Sequence, residues 1–246
     1  MTSRRGWALA AALGMALGAC EAFPGRPDPA QRPVRPSQVM AFDALYKQAC
    51  AGCHGSDGRL GAARPLNDPV YLALIPPDRL HKVIADGVPG TSMPASGTSA
   101  GGSLTDAQID ALVKGMLATW GRPDSVKGVA LPPYDAGPVH PDDKNAAGAA
   151  VYASACARCH GPDGKGGPKA GSIVDASFLA LVSDQSLRTT VIAGRPDLGK
   201  PDWREDIPGQ PLTPQQISDV VAWLAGQRRP VTGRPGSDGQ PSGPRS

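Results

Sequence analysis

The chain has 246 residues, 40% of them hydrophobic but only 4% aromatic, with 31 Gly and 27 Pro. That length admits one large domain or two small ones, and so few aromatic residues among so many chain-breakers argue against one large conventional core. With 25 Lys and Arg against 22 Asp and Glu, there is no basic excess to point to nucleic acid as a partner.

Residues 1–20 read as an export signal. Arg4 and Arg5 precede an apolar run from Trp7 to Ala19, too short to span a membrane as mature structure, and small residues lead to Cys20. Leu17-Gly18-Ala19-Cys20 resembles a bacterial lipoprotein signal, in which the cysteine is lipidated and becomes the first residue after cleavage. An ordinary signal peptide with an incidental cysteine is the alternative. Cys20 is the odd one of five cysteines, since the other four pair off further along. Cleavage there would leave 23 basic residues against 22 acidic ones, so a membrane contact would rest on the lipid and not on charge. Residues 21–37 carry Pro at five positions and no apolar periodicity, which predicts an extended tether.

A first domain is expected over 38–121. An amphipathic stretch, Val39 to Ala49, leads into Cys50-Ala51-Gly52-Cys53-His54. Two thiols three positions apart on one helical turn can both form thioethers to the edge of a haem, and the adjacent His then presents its imidazole to the iron. A disulfide within the pair, or one zinc shared by four thiolates, would use the cysteines but leave the His unexplained. A Gly-rich loop follows, then a short helix from Pro77 to Ala85 and a last helix with Thr105 as its N-cap. Met40 and Met116 fall on predicted helices that should pack against the cofactor.

Residues 122–141, with Pro132-Pro133, read as a linker. The second domain, 142–229, repeats the layout: a stretch from Ala146 to Ala155, the pentapeptide Cys156-Ala157-Arg158-Cys159-His160, a short helix from Asp184 to Ala193, and a last helix after Thr213. In that last helix Ile217, Val220, Val221 and Leu224 recur at helical spacing and make one face. Asn67 to Leu74 lines up with Val174 to Leu181, and Leu104 to Ile109 with Leu212 to Ile217, in the order and nearly the spacing of the two pentapeptides. The halves are copies of one unit. Residues 230–246 are Gly, Pro and Ser with few apolar side chains and are expected to be disordered.

On these motifs both halves resemble class I cytochrome c domains, over roughly Ser37 to Gly121 and Pro141 to Arg229, and their tandem order resembles the di-haem cytochromes of bacterial electron-transfer chains. The resemblance implies an all-α fold: two tandem cytochrome c-like domains with long loops around two covalently bound haems. Cys50, Cys53, Cys156 and Cys159 would attach the haems, and His54 and His160 would ligate iron. In that family the sixth ligand is usually a Met in a loop before the last helix, and Met93, 39 residues after His54, fits. No Met follows His160. Aligning Gly194 with Gly87 puts Lys200 opposite Met93, each followed by Pro, and a lysine amine can bind iron once it has lost its proton. His140 in the linker, His81 in the first domain, water or an open position are the competing choices.

The implied function is a lipid-anchored carrier on the periplasmic side of a bacterial membrane. It would pass single electrons from a quinol-oxidising complex or dehydrogenase to a terminal oxidase or reductase, entering at the second haem and leaving through the first. A di-haem enzyme of the peroxidase or thiosulfate-oxidising kind, with the second haem as its active site, is the alternative, as is a cytochrome subunit of a larger dehydrogenase.

Overall fold

The computed structural model describes residues 33–135 and 145–230. Cys20, His140, the signal segment and the C-terminal tail lie outside the described residues. The chain divides into two compact units between Gln38 and Val39. The 3-10 turn Pro36–Gln38 belongs to the first, and both repeat copies lie in the second.

The fold is all-α. The first copy runs α1 Phe42–Ala49, α2 Ala51–His54, α3 Pro69–Leu74, α4 Pro77–Asp86 and α5 Asp106–Trp120, and the second runs α6 Ala146–Ala155, α7 Ala157–His160, α8 Ala176–Leu181, α9 Asp184–Ala193 and α10 Pro214–Gly226. Among the described residues there is no strand, only three isolated bridges in loops.

Local chemistry sets where these helices start. Thr105 and Thr213 each close a capping box with the Gln three residues on, satisfying two otherwise orphaned backbone donors per helix. The shared Asp of the aligned segments, Asp68 and Asp175, caps α3 and α8 by accepting two backbone N–H groups each. These two short helices were not separately expected, because six apolar-rich residues carry no clear period. Ile217, Val220, Val221 and Leu224 are all buried, as the periodicity of α10 requires.

In each copy the first helix packs against the last, and the two copies build that crossing in opposite ways. In the first, Phe42 on α1 lies over Gly115 on α5, where a Cβ would stand 2.3 Å from the ring. In the second, the equivalent of Phe42 is Gly148 on α6 and the equivalent of Gly115 is Trp223 on α10. A Cβ on Gly148 would stand 2.2 Å from the Asp219 carbonyl oxygen. The large and small residues have exchanged helices, with an aromatic residue facing a glycine in both crossings. Trp120 stands edge-on to Phe42 and Tyr46, with centroids at 5.2 and 5.0 Å, and Trp223 stacks on Tyr152 at 4.3 Å.

One expectation needs correction. Met116 is fully buried on α5, but Met40 precedes α1 and is 46% exposed. The helix starts only at Phe42, so Met40 is left outside the face that packs.

The described part of the linker, residues 122–135, is docked. It forms a 3-10 turn at Pro123–Val126, and the carbonyl oxygens of Pro133 and Tyr134 accept hydrogen bonds from the Arg188 guanidinium of α9. Gln185 donates to the Tyr134 carbonyl as well. Contacts between the copies include Leu60 N–H to the Asp197 carboxylate, and Arg204 of the second copy reaches the Ser125 carbonyl in the linker turn.

Candidate haem sites

Each pentapeptide forms its own helical turn, α2 or α7. His54 N–H donates to the Cys50 carbonyl at 3.0 Å and His160 N–H to the Cys156 carbonyl at 3.1 Å. The turn puts both sulfurs and the imidazole on one short element. All four cysteines are free thiols. Among the described residues no three His, Cys, Asp or Glu side chains gather as a metal cage, so the four sulfurs do not converge on one zinc.

The histidines are held alike. His54 Nδ1 lies 2.8 Å from the Arg64 carbonyl oxygen and His160 Nδ1 lies 2.7 Å from the Gly171 carbonyl oxygen. A carbonyl only accepts, so Nδ1 carries the proton and Nε2 keeps its lone pair for a metal. Burial pushes the His54 pKa below its ordinary value, partly opposed by the bond to Arg64 O. The neutral, ligating form is thereby favoured.

Tyr46 and Tyr152 brace the two turns in the same way, donating to the carbonyls of Gly55 and Gly161. Burial pushes the Tyr46 hydroxyl up to about 12, so it stays a donor. It also pushes the Cys50 and Cys156 thiols up to about 11 each, with the neighbouring Cys53 adding to the first and Asp206 to the second.

The two loops expected to carry the sixth ligand close in the same register. Val88 N–H donates to the Met93 carbonyl at 3.0 Å, and Arg195 N–H donates to the Lys200 carbonyl at 3.1 Å. The glycine that opens each loop, Gly87 or Gly194, has a left-handed φ of 66° or 75°. A Cβ on Gly87 would lie 2.7 Å from Met93 O, and one on Gly194 would lie 2.8 Å from Lys200 O. Only glycine allows this closure, and it sets Lys200 at the backbone position of Met93.

The side chains then part company. Lys200 Nζ donates to both Asp206 carboxylate oxygens, at 3.1 and 3.4 Å, and to the Pro201 carbonyl at 3.0 Å. Asp206 is almost fully buried, and burial pushes its carboxyl above the usual range while Lys200 opposes the shift. Cys156 feels both charges, so the pair sits near the second attachment site. Sequence reasoning missed Asp206 because only the loop fold brings it to Lys200, six residues away.

His81 Nε2 lies 3.5 Å from Asp110 on α5, engaged within the first copy. Beside the first site, Arg64 has no hydrogen-bond acceptor among the described residues, although the Asp68 carboxylate lies within electrostatic reach. The three guanidinium nitrogens of Arg64 are closed off from solvent and donate to nothing, although the residue as a whole is only half-buried. The guanidinium lies 4.1 Å above the Tyr71 ring.

Paired thiols and a histidine with a free Nε2 fit a c-type haem in each copy, and the first copy adds a buried guanidinium with no hydrogen-bond acceptor. The model for the family described as cytochrome c oxidase, cbb3-type, subunit III matches residues 37–114 and 143–224, most of the chain and both copies. The chain belongs to that family.

Among curated relatives, the chain is 32% identical over 147 residues to the cbb3-type cytochrome c oxidase subunit CcoP of Rubrivivax gelatinosus, covering 58% of this chain and 41% of that protein. It is 27% identical over 195 residues to the CcoP subunit of Cereibacter sphaeroides, covering 74% and 59%. A 71-residue stretch is 42% identical to the dihydro-heme d1 dehydrogenase of Pseudomonas aeruginosa, covering 29% of this chain and 13% of that one. The chain thus spans about half the length of the oxidase subunits it matches. As a member of this family it is a cytochrome c with two c-type haems.

Proposed function

We propose that the protein is a lipid-anchored electron carrier, tethered through Cys20 on the periplasmic side of a bacterial membrane, with haem domains at 38–121 and 142–229. A bound haem iron supplies one-electron chemistry by cycling between ferric and ferrous states. The chain's residues attach, orient and tune it. His54 and His160 would each ligate an iron through Nε2, Met93 would complete the ligation of the first iron, and Lys200 that of the second. No helix among the described residues is long and apolar enough to cross a membrane; the lipid anchor rests on the Leu17-Gly18-Ala19-Cys20 motif. The cbb3-type subunits among its relatives suggest a terminal oxidase as the electron acceptor, with a quinol-oxidising complex or dehydrogenase as the donor.

The observation that carries this reading is the shared backbone register of Met93 and Lys200, which gives two copies of one site different donors. Thioether sulfur favours ferrous iron and raises the potential, whereas a harder amine donor favours ferric iron and lowers it. A gap on the order of 0.2 V, at about 59 mV per tenfold for one electron, favours transfer from the second haem to the first more than a thousandfold. Titrating each haem separately tests the direction. Equal midpoints, or a lower one for the His54/Met93 haem, would sink it.

The engagement of Lys200 Nζ by Asp206 favours a second reading, in which that amine stays on the carboxylate and the second iron keeps an open position for a small ligand. Ferric spectra of Lys200→Ala separate the two. A changed low-spin signal from the second haem supports lysine ligation. An unchanged one, with fast carbon monoxide binding to that haem in the reduced wild-type protein, supports the open site.

A further inference from the structure

Arg64 takes no part in iron ligation, yet its placement is specific to one copy. Its backbone oxygen holds His54, and the residue in the same place in the second copy is Gly171, which has no side chain. Conversely, Arg195 stands in the second copy where the first has Val88. Arg64 comes within electrostatic reach of Tyr71 and Asp68 on its own side, of Tyr134 in the linker and of Arg195, and the Asp68 carboxylate offsets part of its charge without hydrogen-bonding to it. Of the two arginines, one is satisfied: Arg195 makes two hydrogen bonds of 2.9 Å to Asp197. The other is not. The nearest acid on its own loop, Asp68, turns Oδ1 to the N–H groups of Val70 and Tyr71 and leaves Oδ2 buried without a donor, and neither oxygen takes a hydrogen bond from Arg64.

A permanently charged guanidinium closed off from water is unfavourable unless an anion meets it, and its planar fork suits a carboxylate. The c-type haem brings two propionate carboxylates into each domain. We propose that Arg64 is the internal counter-ion of a propionate of the first haem, at the seam between the two copies. The assignment to the first haem follows from the loop: Arg64 lies on the segment that holds His54, while the second copy has glycine there and commits its own arginine to Asp197. A buried positive charge next to the first haem favours ferrous iron, so Arg64 acts in the same sense as Met93. The proposal rests on the first haem being attached at Cys50 and Cys53 and is independent of the sixth ligand of the second haem.

The test is haem-resolved potentiometry of the full-length, haem-loaded protein carrying Arg64→Met, Arg64→Gln or Arg64→Lys. The two neutral variants are expected to lower the first haem's midpoint so that its reduced-to-oxidised ratio at fixed potential falls at least tenfold, about 59 mV. Arg64→Lys should retain most of the wild-type value, and the infrared difference spectrum between reduced and oxidised protein should show a carboxylate band displaced in Arg64→Met alone of the Met and Lys pair. The proposal is overturned if all three variants melt earlier with the first midpoint unmoved, which is the signature of a packing role, or if only the second haem shifts. Failure of the electron-flow reading would show differently, as a wrong order of midpoints in the wild-type protein.

Discussion

At the residue scale, the second copy keeps the two thiols and the histidine of the pentapeptide and changes the charges around them. Arg195 and Asp197 show what these charges do to stability. Hydrogen bonds from Arg195 hold the Asp197 carboxyl below the usual carboxylate range. An acid whose folded-state pKa is depressed adds stability that is present above its unfolded pKa of about 4 and is lost as pH falls through the folded value. The difference in melting temperature between wild type and Asp197→Asn should therefore be largest near about pH 6 and shrink steadily in acid. A difference that is constant with pH would show that the ion pair contributes nothing beyond packing. Both residues were visible as charges in the sequence, but their pairing across the short 3-10 turn Pro196–Leu198 was not.

At the element scale, the helix crossings decide whether each domain closes around its cofactor. Gly148→Ala puts a methyl group against the backbone carbonyl of Asp219, and a helix backbone cannot yield as a side-chain end can. We expect a loss of about 1–3 kcal/mol, the usual cost of overpacking, measured by denaturant unfolding. Gly115→Ala meets the Phe42 ring instead and should cost less, because a ring can turn aside; equal losses would contradict this account. The N-caps are simpler. Thr105→Ala and Thr213→Ala should each cost about 1 kcal/mol, and a change within error at both sites would mean that the capping boxes are not formed. The threonines were legible as caps in the sequence because capping is local chemistry. The reciprocal exchange of Phe42 and Gly115 for Gly148 and Trp223 was not, because it becomes visible only once the two helices are laid across each other.

At the scale of the whole molecule, Arg188 fastens the linker to α9 through the Pro133 and Tyr134 carbonyls and also reaches Ser218 on α10. Arg188→Met should leave the Pro133 carbonyl without its donor, while Tyr134 O keeps Gln185, and cost about 1–3 kcal/mol. Limited proteolysis should then cut within residues 122–141 faster than in wild type. Unchanged cleavage would show that the two copies hold their arrangement without the linker.

The amino-acid sequence by itself determined the copy number, the all-α class and the groups available to attach haem and ligate iron. Covalent attachment needs a short local motif, and a repeat is visible by comparison of the chain with itself. It also brought Lys200 opposite Met93 by simple alignment, and the hydrogen bonds from Val88 and Arg195 give that register its physical form. Tertiary structure decided what lies around the haem sites: Asp206 against Lys200, Arg64 beside His54 without a hydrogen-bond acceptor, Arg195 at the same seam, and Pro133 and Tyr134 of the linker docked on Arg188. None of these could be read from spacing along the chain. Each depends on a charged group being buried by residues distant in sequence, and burial is a property of the folded molecule.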